Sequence, residues 1–421
     1  MPIGRLSGRA LSLLREIGRI AAAHDAEAYL VGGVVRDLML GRSSPDLDVV
    51  IVGDAVRVAR EVRRRQGGTL RLHRRFGTST VQLSDGLRLD LAGARGETYS
   101  RPASLPRIAP ADLETDLGRR DFTINAMAAS LVPRRFGRIR DPFDGRRDLC
   151  ARQVRILHGS SFVDDPTRIF RAARFAARLD FSLEPATARA VAAAVRRGRT
   201  ALLSSARLLR ELRLLLDERP LARILCVGAG LGLWRTLDAA VRVGSGLRRR
   251  AAQLETLLDA RRDAGGPVPP QWIMGLALLT RRLPARSRER LIDRLRPDRR
   301  TTAILRLSAS QADEILRRLA RRRRLNPGRI RGACVDASIA AILLATLFAP
   351  RPSVMAALRR YLVEDSLVAL EIDGSDLLAE GLPPGPAVAA GLEAALRAHL
   401  DGDACDGRSQ LRVALRRARS A

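Results

Sequence analysis

The chain has 421 residues, with 75 Lys+Arg against 45 Asp+Glu and a net charge of +30, and every one of the 75 is arginine. At 46% hydrophobic and 29% charged it carries enough apolar matter for a core, which excludes a disordered chain, and at 3% aromatic it is a poor base-stacking platform. A surface this positive implies a polyanion, phosphate first, although a GC-rich genome would raise the same count; the length allows two to four domains of roughly 100–200 residues each.

The spacing of Leu11, Leu14, Ile17 and Ile20 predicts a first helix. Residues 28–31 read as a strand, Gly32-Gly33 as a tight turn, 34–40 as a helix closed by Gly41, and 47–52 as a second strand. A helix follows over 54–65, then strands over 69–72, 80–83 and, across the Asp85-Gly86 hairpin turn, 87–91. The sum is a small mixed sheet with helices on one side. From residue 164 onward strand signals nearly vanish, and Ala/Leu/Arg helices dominate, broken at Gly265-Gly266-Pro267 and Pro383-Pro384-Gly385-Pro386. The fold class is therefore α+β, a mixed-sheet head followed by an all-α remainder, with no fixed-period repeat.

Gly32 and Gly33 stand between a strand end and a helix start, where backbone can approach a triphosphate closely and free N–H groups favour anions. A plain tight turn would use the same pair. Arg36, in the first turn of that helix, adds a charge for the same phosphates. Asp46 and Asp48, two apart in a strand, present paired carboxylates on one face. Such hard oxygens suit Mg²⁺, and two ions would stabilise the attacking and leaving oxygens of a phosphoryl displacement. Asp90, on a neighbouring strand, is a candidate third ligand.

Gly32-Gly33-Val34-Val35-Arg36-Asp37 followed by Asp46 and Asp48 resembles the head motif of the class II tRNA nucleotidyltransferases and bacterial poly(A) polymerases, in the polymerase-beta-like superfamily. The likeness continues in order through Ala94-Arg95-Gly96-Glu97-Thr98-Tyr99, Arg119-Arg120-Asp121 with Asn125, Asp141-Pro142-Phe143-Asp144-Gly145, Asp164-Asp165 with Arg168, Arg171 and Arg174, and Arg207-Leu208 with Glu211. Ile372-Asp373-Gly374 and Leu382-Pro383-Pro384 resemble the tail of bacterial members less specifically. The resemblance implies a polymerase-beta-like head over 1–150, a helical neck over 151–215 that recognises the base, and a helical body (216–360) and tail (361–421) that bind tRNA.

It also implies residue roles. Arg120 handles the nucleotide, while Asp121 and Asn125, expected one turn apart on a helix over 122–127, reach ribose hydroxyls together, unless the first is a cap and the second a structural amide. Asp165, Arg168, Arg171 and Arg174 recur at three-residue steps on a helix beginning near Pro166. By spacing alone that is an ordinary solvated stripe; by resemblance Asp165 and Arg168 read the Watson–Crick edge, and Arg171 and Arg174 hold triphosphate or template. An ionised Asp accepts from the exocyclic amine of cytosine or adenine while Arg donates to the ring nitrogen. Uracil and guanine would set like groups against both. The family usually has Glu-Asp where this chain has Asp164-Asp165, which changes a supporting contact but not the reading carboxylate.

The implied activity is addition of C, C and A to tRNA 3′ ends from CTP and ATP, with Mg²⁺ and release of pyrophosphate. CC-only, A-only and poly(A) addition share these motifs, and an inactive basic RNA-binding module is a further alternative. Specificity differences are expected in the proline-bearing segment 100–114, read as a flexible loop. In the body, Arg248-Arg249-Arg250 and above all Arg321, Arg322, Arg323 and Arg324 are candidates for tRNA phosphates, with a solvated helix face as the competing reading. Cys150, Cys226, Cys334 and Cys405 lie far apart, which argues against a zinc ribbon or disulfide scaffold. The apolar run 339–349 is too short to span a bilayer. A cytoplasmic protein with no membrane and no obligate protein partner is expected.

Overall fold

The computed structural model describes residues 2–42, 46–73, 77–320 and 324–420, the side chains of Pro2 and Asp46 excepted. The chain packs as two units, Met1–Ser204 and Ser205–Ala421. The division falls inside the segment expected as a separate neck: residues 151–204 pack with the head.

In the first unit, Ser7 caps helix α1 (Gly8–Ala22) by accepting from Ala10 N, and Leu13, Leu14, Ile17 and Ile20 form its buried stripe. Strand β1 (Glu27–Val31) leads through Gly32 into the short helix α2 (Gly33–Met39). Strand β2 (Asp46–Val52) precedes helix α3 (Ala55–Gln66), capped by Asp54. Strands β3 (Thr69–His73), β4 (Thr78–Gln82) and β5 (Arg88–Gly93) follow.

Two strands come from the expected flexible loop and its flank: β6 (Arg95–Thr98) pairs antiparallel with β7 (Arg107–Pro110). The segment 100–114 is thus in part a hairpin arm, and α4 (Leu113–Gly118) starts within it. The expected helix over 122–127 is also corrected. Only Thr123–Asn125 makes a single 3-10 turn, entered from extended Phe122 and left for strand β8 (Ala128–Ser130), to which β9 (Ile139–Arg140) adds an edge. Phe122, Thr123 and Ile124 are aromatic or β-branched residues, which fit a helix poorly.

The seven-stranded sheet runs β3-β4-β5-β2-β1-β8-β9; only β2 and β5 are parallel, the other neighbours antiparallel. Strand alternation assigns its two faces. Leu47, Val49 and Ile51 are buried on the face that α1 and α3 cover. Val50 faces the other way, into a core with Tyr29, Val31, Leu117, Ala126 and Ala128. Asp48 shares that second face by parity with Val50.

The first unit closes with α5 (Gly145–Cys150), α6 (Ser161–Asp164), α7 (Thr167–Leu179) and α8 (Pro185–Arg196). Pro166 precedes the first residue of α7, where a missing N–H costs nothing.

The second unit is helical throughout its described residues. Its core includes Gln271–Thr280 and the almost wholly buried helix Ile339–Phe348. Among the described residues no single helix is long and apolar enough to cross a membrane. A separate small core of Leu377, Ala395, Ala414 and Ala418 holds the last three helices together. Arg248 and Arg249 are exposed, but Arg250 turns inward, donating to Leu347 O (2.9 Å) and lying over the Phe348 ring. Arg321, Arg322 and Arg323 lie outside the described residues; Arg324 is exposed.

Candidate active site

A cleft of about 630 Å³ opens in the first unit, and its wall contains Gly32, Gly33, Arg36, Asp48, Arg120 and Asp121 from the head. Asn125 and, from the neck, Asp165, Arg168, Arg171 and Arg174 complete it. Of the sequence-derived site residues of the first unit with a described side chain, all but Asp90, the candidate third metal ligand, are therefore gathered in one place. The side chain of Asp46 lies outside the described residues; its backbone opens β2, two residues before Asp48.

Gly32 has φ +76° and ψ −139°, a conformation open to glycine alone, and a Cβ there would stand 2.8 Å from Arg120 Nη1. The glycine thus lets the backbone pass against the guanidinium. Asp48 is exposed, and in the parallel register it sits beside Asp90. Asp90 accepts from Thr80 Oγ1 (2.5 Å) and is paired with Arg88 (3.0 Å).

Arg36 is almost fully buried, and its contacts differ from those of a free phosphate ligand. Its Nε and Nη2 donate to the two oxygens of Asp37 (2.9 and 3.0 Å), Nη1 donates to Asn125 Oδ1 (2.6 Å), and its plane lies over Phe175. Burial pulls its pKa down against the opposing charge of Asp37.

Asn125 in turn donates to Asp121 Oδ1 (2.9 Å), and Asp121 Oδ2 accepts from Arg171 Nε (2.7 Å). Burial works against the Asp121 charge, but Arg171 and Asn125 prevail and hold the carboxyl below its ordinary range. The chain Asp37, Arg36, Asn125, Asp121 and Arg171 thus runs through Asn125 as a relay, accepting from Arg36 through Oδ1 and donating to Asp121 through Nδ2. The guanidiniums of Arg36, Arg171 and Arg174 all lie 5.1–5.5 Å from the centre of the Phe175 ring, so one aromatic face or edge serves three cations.

Arg119 and Arg120 share buried Asp116: Arg119 Nη2 donates to Oδ1 (2.7 Å) and Arg120 Nη2 to Oδ2 (3.0 Å). Among the described residues, Arg120 Nε is buried without a hydrogen-bond partner. A donor left unpaired at a cleft wall costs stability unless a ligand accepts from it, which fits an anionic nucleotide.

At the start of α7, Asp165 Oδ1 accepts from Thr167 N (3.0 Å) and Thr167 Oγ1 (2.6 Å), a turn that fixes the carboxylate. Arg168 is 5% exposed; Nη1 donates to Ser161 Oγ (2.8 Å) and Nη2 to Arg119 O (2.6 Å).

Glu97, Tyr99, Arg119, Phe175 and Arg178 also line the cleft and were missed as site residues. Arg178 lies four residues, about one helical turn, beyond Arg174; the three-residue step of the stripe lands on Ala177 instead, so the same spacing does not find it. Phe175 carries no signal either, because an aromatic residue on an amphipathic helix is ordinarily core. Tyr99 donates to Glu97 Oε2 (2.9 Å), and burial with that neighbouring charge pushes its pKa up.

Residues 28–155 match the model of the poly(A) polymerase head domain. An A-adding tRNA nucleotidyltransferase of Geobacter sulfurreducens is 32% identical over 98% of this chain and 47% of its own length. The chain spans about half the length or less of the first curated relatives it matches. A solved CCA-adding enzyme in apo form superposes with a TM-score of 0.84 at 30% identity, covering 97% of this chain and 96% of that one. The Thermotoga maritima CCA-adding enzyme complexed with tRNA gives 0.81 at 29% identity, covering 99% and 97%.

Proposed function

The chain belongs to the tRNA nucleotidyltransferase and poly(A) polymerase family, and on that premise we propose that it adds C, C and A to tRNA 3′ ends from CTP and ATP, without a nucleic-acid template. The observation that carries this reading is the meeting of Asp48, the Gly32 backbone, Arg120 and the Asp165–Arg168 pair in one cleft.

In the proposed reaction the tRNA 3′-oxygen attacks the α-phosphorus, the bond to the β-phosphate oxygen breaks, and pyrophosphate leaves. The exposed carboxylate of Asp48 suits a divalent cation such as Mg²⁺, with Asp46, two residues earlier in the sequence, proposed as the second ligand from its spacing alone. Bound there, such an ion supplies Lewis acidity for phosphoryl displacement. Gly32 and Arg120 receive the triphosphate, with the unpaired Arg120 Nε as one donor. Arg36 acts behind them, fixing Asn125 through its 2.6 Å contact.

Asp165 accepts from the exocyclic amine of cytosine or adenine, and Arg168 donates to the ring nitrogen. Their fixed geometry suits discrimination, because neither side chain must be ordered when the nucleotide arrives. The body, tail and exposed Arg324, with Arg321, Arg322 and Arg323 beside it in sequence, are proposed to hold tRNA through its phosphates.

A-only addition is the second reading, favoured by the match to an A-adding relative along 98% of this chain. The protein is incubated with tRNA lacking its CCA end, or ending in CC, and labelled CTP and ATP singly and together. Extension of the truncated tRNA by three nucleotides supports the proposal. Extension of the CC-ended tRNA alone selects the A-adding reading, long A tails select poly(A) polymerase, and binding without extension refutes both readings.

A further inference from the structure

Arg168 is held from behind by a chain of polar side chains. Ser160 Oγ donates to Asp164 Oδ2 at 2.8 Å, and that hydroxyl has only one hydrogen. The 2.9 Å contact between Ser160 Oγ and His158 Nδ1 must then run the other way, with Nδ1–H donating. A neutral imidazole protonated on Nδ1 is bare on Nε2, and Nε2 is the atom that faces Arg168 Nη1, at 3.5 Å, the outer edge of hydrogen-bond reach. Ser160 and Asp164 therefore select the tautomer, and the tautomer presents an acceptor to the guanidinium.

We propose that His158 is a positioning residue for nucleotide selection, holding Arg168 through Nε2 only while the ring is neutral and protonated on Nδ1. The inference rests on the reading of Arg168 as a base-reading group, and it gives Asp164, the position that departs from the family's Glu, a definite task.

Protonation reverses the contact, because an N–H on Nε2 would point at a cation. The charged groups around the ring are Arg168 and Asp164, with Glu97, Arg107, Asp112, Glu114 and Arg119 in the wall of the same neighbouring cleft of about 680 Å³. Burial and Arg168 push the His158 pKa below its ordinary value, against the pull of Asp164. Arg168 is thus held through neutral pH and loosened only in acid.

The test measures CTP and ATP incorporation, with UTP as the wrong substrate, for the full-length wild type, His158→Gln and His158→Ala between about pH 5 and about pH 8, a range spanning the ordinary imidazole pKa. Losing a hydrogen bond to a charged group predicts that His158→Ala raises KM for CTP about tenfold and erodes discrimination against UTP by a similar factor. Gln offers an acceptor that does not titrate, so His158→Gln should keep the neutral-pH KM and lose the acid rise seen in the wild type. Nitrogen NMR of ¹⁵N-histidine protein should show the 158 ring, identified by its disappearance in His158→Gln, protonated on Nδ1. An Nε2–H tautomer, or wild-type KM and selectivity in His158→Ala with an unchanged melting temperature, would overturn the inference. Failure of the wild type to extend any tRNA would instead refute the parent reading, and the tautomer alone would then judge the chain from Asp164 to Arg168.

Discussion

Asp48 differs from its acidic neighbours in exposure. Asp37, Asp116 and Asp121 are buried and bonded to arginines, whereas Asp48 faces the cleft from a strand. If Asp48 holds the proposed cation, Asp48→Asn is expected to lower nucleotide incorporation by at least about 10³-fold, the effect of several kcal/mol of lost charge stabilisation. tRNA affinity, read by filter binding, should stay near wild type; near-normal turnover would remove Asp48 from the chemistry. Asp121→Asn tests the buried chain instead. The amide sets a donor against Arg171, partly exposed, and is expected to cost about 1–3 kcal/mol. Because the native carboxyl is held below its ordinary range, its stabilisation is complete above the unfolded value of about 3.9 and lost as pH falls through the native one. Thermal melts should therefore show the two proteins converging below about pH 4 and separated at neutral pH; a constant gap would mean that the Asp121 charge does not matter.

Elements with strong periodicity were legible in the sequence. The strand, Gly-Gly, helix and strand at the head fall within a residue or two of β1, α2 and β2, because alternation and glycine act locally. The hairpin of β6 and β7 was not legible: Pro102, Pro106 and Pro110 mark a loop, and four-residue strands depend on a pairing that lies in neither segment alone. Nor was the role of Arg36, since position at a helix start does not reveal that Asp37 and Asn125 will claim its donors. The Gly32 turn gives a test at this scale. Gly32→Ala must adopt φ +76° and put a methyl 2.8 Å from Arg120 Nη1, so it should destabilise by about 1–3 kcal/mol and raise KM for both nucleotides. Gly33→Ala, in ordinary helical backbone with its methyl at 3.4 Å, an ordinary van der Waals distance, from Arg36 Nη2, should melt close to wild type. Equal melting temperatures for the two variants would refute the backbone argument.

At the scale of the whole molecule, each unit has its own core, and among the described residues the proposed nucleotide cleft draws on residues between Gly32 and Arg178. The helix α7 proposed to read the base belongs to the unit that holds Asp48, so the proposed nucleotide chemistry requires nothing from the second unit. Of the net charge of +30, the helical second unit carries slightly more than half (39 Arg against 23 Asp+Glu, with 36 against 22 in the first unit), and it is proposed to contribute phosphate contacts, which bind through many weak, salt-sensitive increments. A fragment of residues 1–204 is therefore expected to melt cooperatively and bind CTP nearly as well as the full chain. Losing about five phosphate contacts should cost it on the order of 10²-fold or more in tRNA affinity at moderate salt, with a shallower dependence of log affinity on log salt. Calorimetric titration with CTP and filter binding across a salt series measure both. A fragment that folds but no longer binds CTP would place part of the nucleotide site beyond residue 204, and one that keeps full tRNA affinity would move the RNA surface into the head.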